Sequence, residues 1–145
     1  MNKLFSTNPV LQNGGLTAIR IIIGCFLIDH GWEIFDRNKL NEYMSWDVFK
    51  TSSFSPFMIY MGKTAELIAG FLLTLGLFTR ISSIIIMGTF FYIPFFVGSG
   101  KIWYEDQYPF LFAFFGCVFF FTGPGKWSVD HLLFDKNKIV KNSRR

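Results

Sequence analysis

The chain has 145 residues, of which 51% are hydrophobic, 20% are aromatic and 17% are charged. This composition excludes a disordered chain, a collagen-like chain and a disulfide-rich scaffold. It also argues against an ordinary soluble enzyme, because twenty Phe residues exceed what a small soluble core can bury.

Four apolar stretches approach the length of about 20 residues that a helix needs to cross a bilayer. They cover residues 15–35, 56–78, 81–97 and 108–122. Pro56 favours a helix start, residues 78–83 predict a tight turn between two helices, and glycines after positions 97 and 122 predict helix ends. We therefore predict an all-α membrane protein, an antiparallel bundle of four transmembrane helices in one domain over residues 1–145.

The basic residues predict the orientation, because Lys and Arg accumulate in cytoplasmic loops. Four helices put both termini on one side of the membrane. That side carries Lys3, Arg80, Lys126, Lys136, Lys138, Lys141, Arg144 and Arg145, against Arg37, Lys39, Lys50 and Lys101 on the other. We predict cytoplasmic N- and C-termini in a bacterial inner membrane, with residues 124–145 as a basic cytoplasmic tail. The net charge of +4 then fits a lipid bilayer as partner and requires no nucleic acid.

Two loop segments have the pattern of interfacial helices. Residues 40–49 predict a short helix on the outer surface, and residues 127–134 predict one on the inner side with Ser128 as its cap. Trp103 and Tyr104 stand where an aromatic belt is expected.

Ionisable residues inside the apolar stretches are the strongest functional signal. Each costs about 2.5–3.5 kcal/mol in hydrocarbon on insertion scales, so such residues mark function by default. The first stretch carries Asp29, His30 and Glu33, and the second carries Lys63 and Glu66. Arg20 lies near the cytoplasmic end of its stretch, where we expect its side chain to reach the lipid head groups.

Helical geometry brings the outer charges together. A rotation of about 100° per residue places Asp29, His30 and Glu33 on one polar face. The rise per residue puts Lys63 at the depth of Asp29 and Glu33, with Glu66 near the midplane. The pattern predicts a ligand or proton pocket between the first two helices, formed by Asp29, His30, Glu33, Lys63 and Glu66. Pairs that only neutralise one another and fix the helix register are the alternative.

Small residues beside these charges predict close helix packing. Gly62 and Gly70 lie on the same side of the second helix as Glu66, and small residues mark helix contacts in membranes. We therefore expect this side to face the bundle.

Other chemistries find little support in the residues. Cys25 and Cys117 stand singly, which argues against disulfide chemistry. His30 and His131 are predicted on opposite sides of the membrane, so they cannot share a haem iron. A haem with one His ligand and a weak metal site at His30, Glu33 and Glu66 stay as alternatives. We assign no catalytic residue and no metal ligand.

Three motifs resemble the DoxX family. The segment Glu66 to Arg80, ELIAGFLLTLGLFTR, resembles its second helix, and Gly123 to Asp130, GPGKWSVD, resembles its ending after helix four. The segment Arg20 to Phe35 is similar to its first helix, including Gly24 and Gly31, which we add to the expected packing glycines. The resemblance implies a small four-helix inner-membrane protein. Some members of the family are small subunits of quinone-linked oxidoreductases that oxidise reduced sulfur compounds.

These observations favour an accessory subunit of a larger membrane assembly, without enzyme activity of its own and with a polar pocket between helices one and two. The first alternative is a quinone-interacting redox subunit, in which His30 and Glu66 bind the quinone head group and pass protons. The second alternative is a small transporter or binder of a lipid or apolar metabolite.

Overall fold

The computed structural model describes residues 12–50 and 53–135, and this part of the chain is helical without a strand. Four long helices cover the four apolar stretches: α1 (Gln12–Trp32), α4 (Ser55–Leu75), α5 (Thr79–Tyr92) and α6 (Gln107–Thr122). Two short helices, α2 (Arg37–Met44) and α3 (Asp47–Lys50), connect α1 to α4. A 3-10 turn (Glu33–Phe35) extends α1, and π-helical turns follow α5 (Ile93–Val97) and precede the C-terminal segment (His131–Asp135).

Local chemistry explains the helix boundaries. Pro56 occupies the first turn of α4, where its missing N–H is not needed. Gly76 ends α4 in the left-handed conformation with a φ of 66°. The turn between α4 and α5 is therefore residues 76–78, earlier than the predicted segment 78–83, and Thr79 to Ser83 are already helical. Pro94 has no N–H to donate, and the backbone around it adopts the wider π-helical turn.

The connecting segments contain short helices, although residues 40–49, which were expected to form one helix, belong to two, α2 and α3. The Asp36 carboxylate caps α2 by accepting hydrogen bonds from the N–H groups of Asn38 and Lys39. After α6, Ser128 Oγ accepts a hydrogen bond from the N–H of His131 at 3.2 Å, which confirms Ser128 as a cap. The basic residues from 136 onward and Lys3 lie outside the described residues.

The long helices pack as two antiparallel pairs. α1 lies against α4, α5 lies against α6, and α4 contacts α5 to join the pairs. Their shared core contains Leu27, Leu73, Ile86, Ala113 and Phe119. A second, smaller core of Leu40, Phe49 and Ile59 holds the α2–α3 segment on the N-terminal part of α4.

Large apolar side chains cover the outside of the helices as well. Exposed examples occur on every long helix and include Phe26, Ile68, Ile84 and Phe114. Two described helical segments, Ser55–Leu75 and Thr79–Val97, are long and apolar enough to cross a membrane, and only 28% of each is buried inside the protein. A helix that is apolar all round and yet exposed fits a lipid environment better than water. α6 is equally apolar but shorter, with 16 residues.

Candidate functional site

Glycines bring the backbones of α1 and α4 into direct contact. A Cβ atom on Gly31 would lie 2.4 Å from the backbone nitrogen of Leu67, and one on Gly70 would lie 2.8 Å from that of Ile28. A Cβ on Gly24 would lie 2.2 Å from Thr74 Oγ1. Gly62 differs from this expectation, because a Cβ there would meet no atom within 4 Å. It borders a cavity instead of a helix contact.

At the end of this contact near Gly31 and Leu67, Lys63 bridges two carboxylates. Its Nζ donates to Glu33 Oε2 at 2.7 Å and to Glu66 Oε2 at 3.1 Å. Glu33 belongs to the turn that extends α1, and Glu66 lies one turn further along α4. Glu66 is only 5% exposed, so its charge is held away from solvent. The sequence places Lys63 at the depth of both Asp29 and Glu33, and the structure pairs it with Glu33.

Tyr43 from α2 completes this network. Its hydroxyl donates to Glu33 Oε2 at 2.5 Å, and Lys63 Nζ lies 4.8 Å from the centre of its ring. Burial raises the pKa of Tyr43 to about 12, and the hydrogen bond to the Glu33 carboxylate acts in the same direction. The α2–α3 segment is thus attached through Tyr43 to the buried charges. We define the ion-pair network as Glu33, Tyr43, Lys63 and Glu66.

Asp29 and His30 stand apart from that network. Asp29 is exposed and forms no ion pair with any residue in the described ranges. His30 is also exposed, and its ring meets the edge of Phe112 at a centroid distance of 6.4 Å. No hydrogen bond links His30 to Glu66 among the described residues. Asp29 and His30 are neighbours on α1, but only His30 lines the cavity.

A cavity of about 700 Å³ opens beside the network. Its wall includes Lys63 and Glu66, aromatic side chains from α2, α3, α5 and α6, and the glycines Gly62 and Gly88. The cavity lies among α4, α5, α6 and the α2–α3 segment, with His30 as the contribution of α1. The expected pocket between the first two long helices is not formed there, because Gly24, Gly31 and Gly70 let those helices touch.

The far side of the cavity carries two further carboxylates. The buried Asp106 accepts hydrogen bonds from the N–H groups of Ser99 and Lys101 at 2.9 and 3.1 Å, which closes the loop between α5 and α6. Glu105 is exposed and pairs with Lys101 at 2.9 Å. Both line the cavity, and sequence reasoning did not select either, because only the folded loop turns them towards α4.

Arg20 organises the opposite end of the molecule. It is only 2% exposed and donates to the backbone carbonyls of Pro124 at 3.0 Å and Trp127 at 2.7 Å. Asp130, in the same segment, accepts hydrogen bonds from the N–H groups of Phe78 and Thr79 at the start of α5. The expectation that Arg20 reaches lipid head groups is therefore wrong. The segment after α6 contains carbonyl acceptors for Nη1 and Nη2 of its guanidinium inside the protein, while Nε has no hydrogen-bond partner among the described residues.

The described residues offer little for metal or thiol chemistry. Within residues 12–50 and 53–135, no group of three or more His, Cys, Asp or Glu side chains is placed to hold a metal ion, so the alternative site at His30, Glu33 and Glu66 is not formed. Cys25 and Cys117 are free thiols, and Cys117 Sγ lies 3.3 Å from Met87 Sδ.

The fold and the buried charges define a small helical membrane protein with a polar centre near one end of its packed helices. The sequence model of the DoxX family matches residues 15–99, and the chain belongs to the DoxX family. The matched residues contain the whole ion-pair network but neither α6 nor the segment 123–130. Comparison with curated proteins and with solved structures gives no significant match.

Proposed function

We propose that the protein binds an apolar small molecule with a polar head group in the cavity beside Lys63 and Glu66. The observation that carries this proposal is a cavity of about 700 Å³ with a mostly apolar wall and a buried ion pair at one point of it. Ligand sites commonly measure about 300–1,000 Å³ and combine an apolar lining with a few convergent polar groups.

Different side chains contact the apolar part and the polar part of the ligand. The aromatic rings of Trp46, Phe90 and Phe112 line the space for the apolar part of the ligand. Lys63 Nζ is a hydrogen-bond donor at the polar end. Glu66 Oε1 accepts no hydrogen bond from the described residues, since Lys63 binds Oε2, and this oxygen is the acceptor we assign to the ligand. A hydrogen-bond donor of the ligand at this oxygen stabilises the complex.

A quinone is the second candidate, favoured by the donor at Lys63 and the size of the cavity. When bound, a quinone supplies redox chemistry that is coupled to proton uptake. The part of this chain is to hold the head group at Lys63 and to exchange a proton at the Glu66 carboxyl or at His30, which both line the cavity.

Cavity-filling variants test binding without disturbing a contact. Gly62 and Gly88 line the cavity, and a Cβ on either meets no atom within 4 Å. Gly62→Leu and Gly88→Leu should fold and exclude the ligand. Gly15→Leu is the matched control, since Gly15 also has open space but lies outside the cavity. Organic extracts of the purified proteins are compared by mass spectrometry.

A small molecule enriched in the wild type and in Gly15→Leu but depleted in both cavity variants supports the proposal. Identical extracts from all four proteins contradict it. A quinone as the depleted molecule selects the redox alternative.

We further propose that all four long helices cross a bacterial inner membrane with both termini in the cytoplasm, so the cavity lies in the outer half. The charge asymmetry of the loops supports this orientation. In a variant without native cysteines, single cysteines at Ser53 and Ser99 should react with an impermeant thiol reagent in intact cells, and one at Lys126 should not. Labelling at Lys126 would reverse the orientation.

From the family resemblance, we also propose that the protein is an accessory subunit of a larger membrane assembly. Purification in mild detergent tests it, because a stable partner should elute with the protein at a constant ratio. Elution of the chain by itself from both mild detergent and lipid nanodiscs would contradict it.

A further inference from the structure

We propose that the ligand of the cavity is a lipophilic cation, an inference that rests on the binding function proposed above. Three observations point to positive charge in the ligand: the ionic groups around the cavity do not balance, Glu66 presents a free oxygen to it, and its wall is rich in aromatic faces.

The charges near the cavity are in acidic excess. Glu33 and Glu66 share the single ammonium of Lys63, so this part of the site carries one formal negative charge more than positive. On the other side, Glu105 has Lys101 as its partner, while Asp106 is bound by neutral donors. If His30 is counted as charged, the lining residues and their ion-pair partners still comprise more carboxylates than cations. The four carboxylates are Glu33, Glu66, Glu105 and Asp106, and the three cations are His30, Lys63 and Lys101.

Of the two carboxylates that share Lys63, Glu66 is the one that lines the cavity. Its side chain is 6% exposed, and Lys63 occupies only Oε2. The other carboxylate oxygen has no hydrogen-bond partner among the described residues, although Glu66 lines the cavity. A charge held in a poorly solvated place interacts strongly with an added counter-charge, because little water screens it. A cationic group beside Glu66 therefore binds more tightly than a neutral group of the same size.

The aromatic wall suits a cation with an apolar surface. Tyr43, Trp46, Tyr92, Tyr108 and Phe112 line the cavity, and cations are attracted to the faces of such rings. Lys63 already uses one of these faces, with Nζ 4.8 Å from the centre of the Tyr43 ring. Tyr108 is 76% exposed, which places an aromatic ring at the mouth of the cavity. A quaternary ammonium with an apolar tail satisfies both the rings and the carboxylate.

The test compares three probes that share one apolar tail. They are 4-phenylbutyltrimethylammonium, 4-phenylbutanol and 4-phenylbutyrate, which are cationic, neutral and anionic. Calorimetric titration uses the full chain in nanodiscs of zwitterionic phosphatidylcholine, with empty nanodiscs as the blank. We expect the cation to bind at least ten times more tightly than the alcohol, and the carboxylate to bind most weakly.

Variants assign the preference to the cavity. Glu66→Gln keeps the shape of the side chain and removes its charge, so it should reduce the preference for the cation to less than threefold. Its far-UV circular dichroism spectrum should match that of the wild type, which shows that the variant is still folded. Glu42→Gln is the matched control, because Glu42 is exposed, pairs with Lys39 and does not line the cavity. Should Glu66→Gln fail to fold, Glu105→Gln at the exposed rim should give a smaller decrease in the same direction.

The outcomes separate the two proposals. Equal binding of the cation and the alcohol, or preference for the carboxylate, overturns the cationic ligand class and leaves the cavity as a binding site. An equal loss of preference in Glu42→Gln also overturns it, since the cause is then general surface charge. Binding of none of the three probes, together with unchanged extracts from the cavity-filling variants, overturns both proposals.

Discussion

Replacement of Lys63 by Met is the most direct test of the ion-pair network. The variant leaves Glu33 and Glu66 without their shared cation, with side-chain exposures of 24% and 6%. Removing one partner of a buried ion pair costs about 3–5 kcal/mol in soluble proteins. In membranes, interhelical polar contacts average about 0.6 kcal/mol and reach about 1.7, because separated helices find other partners.

The geometry decides where between these limits the result should fall. Lys63 and Glu66 are three residues apart on α4, so their pair survives when the helices separate. The pair of Lys63 with Glu33 joins α4 to the end of α1 and is lost on separation. We therefore expect Lys63→Met to lower the free energy of unfolding by about 2 kcal/mol, between the soluble and membrane values. Adding Glu33→Gln, which removes the carboxylate of the pair that is lost on separation, should restore part of this loss.

Unfolding in mixed micelles, followed by circular dichroism, measures these differences. Lys39→Met is the matched control, because Lys39 and Glu42 are about half exposed and such a pair contributes about 0–1 kcal/mol. A loss in Lys63→Met no larger than in Lys39→Met refutes the reasoning. So does a double variant whose loss equals the sum of the single losses, since the residues would then act independently.

Three further predictions concern other parts of the molecule. Gly31→Ala should destabilise the protein by about 1–3 kcal/mol through its clash with the Leu67 backbone, whereas Gly14→Ala, which has open space, should be neutral or stabilising in the same unfolding assay. Because the pKa of Tyr43 is raised to about 12 in the folded protein, its contribution to stability should be complete below pH about 10 and lost between pH 10 and 12. Absorbance at 295 nm, wild type minus Tyr43→Phe, should show this late titration, and a midpoint near 10 would contradict it. Arg20→Met should destabilise by about 1.5–3 kcal/mol, because it removes the charged donor of the Pro124 and Trp127 carbonyls, whereas Arg80→Met should not, because Arg80 is exposed. Equal thermal stability of the two variants would show that Arg20 is not structural.

The sequence alone predicts the four long helical segments and places Lys63 at the depth of Asp29 and Glu33. Hydrophobic runs and helix-terminating residues depend on local chemistry, so Pro56 marks the start of α4 as predicted, whereas Gly76 ends α4 before the predicted turn. The depth of Lys63 follows from a fixed rise per residue, which is why the contact with Glu33 could be anticipated. The motifs around Glu66 similarly led to the DoxX family.

Only the tertiary structure decided where the cavity lies and which polar residues reach it. Its position depends on how closely helices approach, and the spacing of glycines does not say which of them touch a backbone: Gly70 does and Gly62 does not. Tyr43 and Asp106 belong to connecting segments whose direction is set by long-range packing, so nothing local marks them as neighbours of the buried charges. Arg20 illustrates the same limit, because the carbonyl groups that hold it are 104 and 107 residues away along the chain.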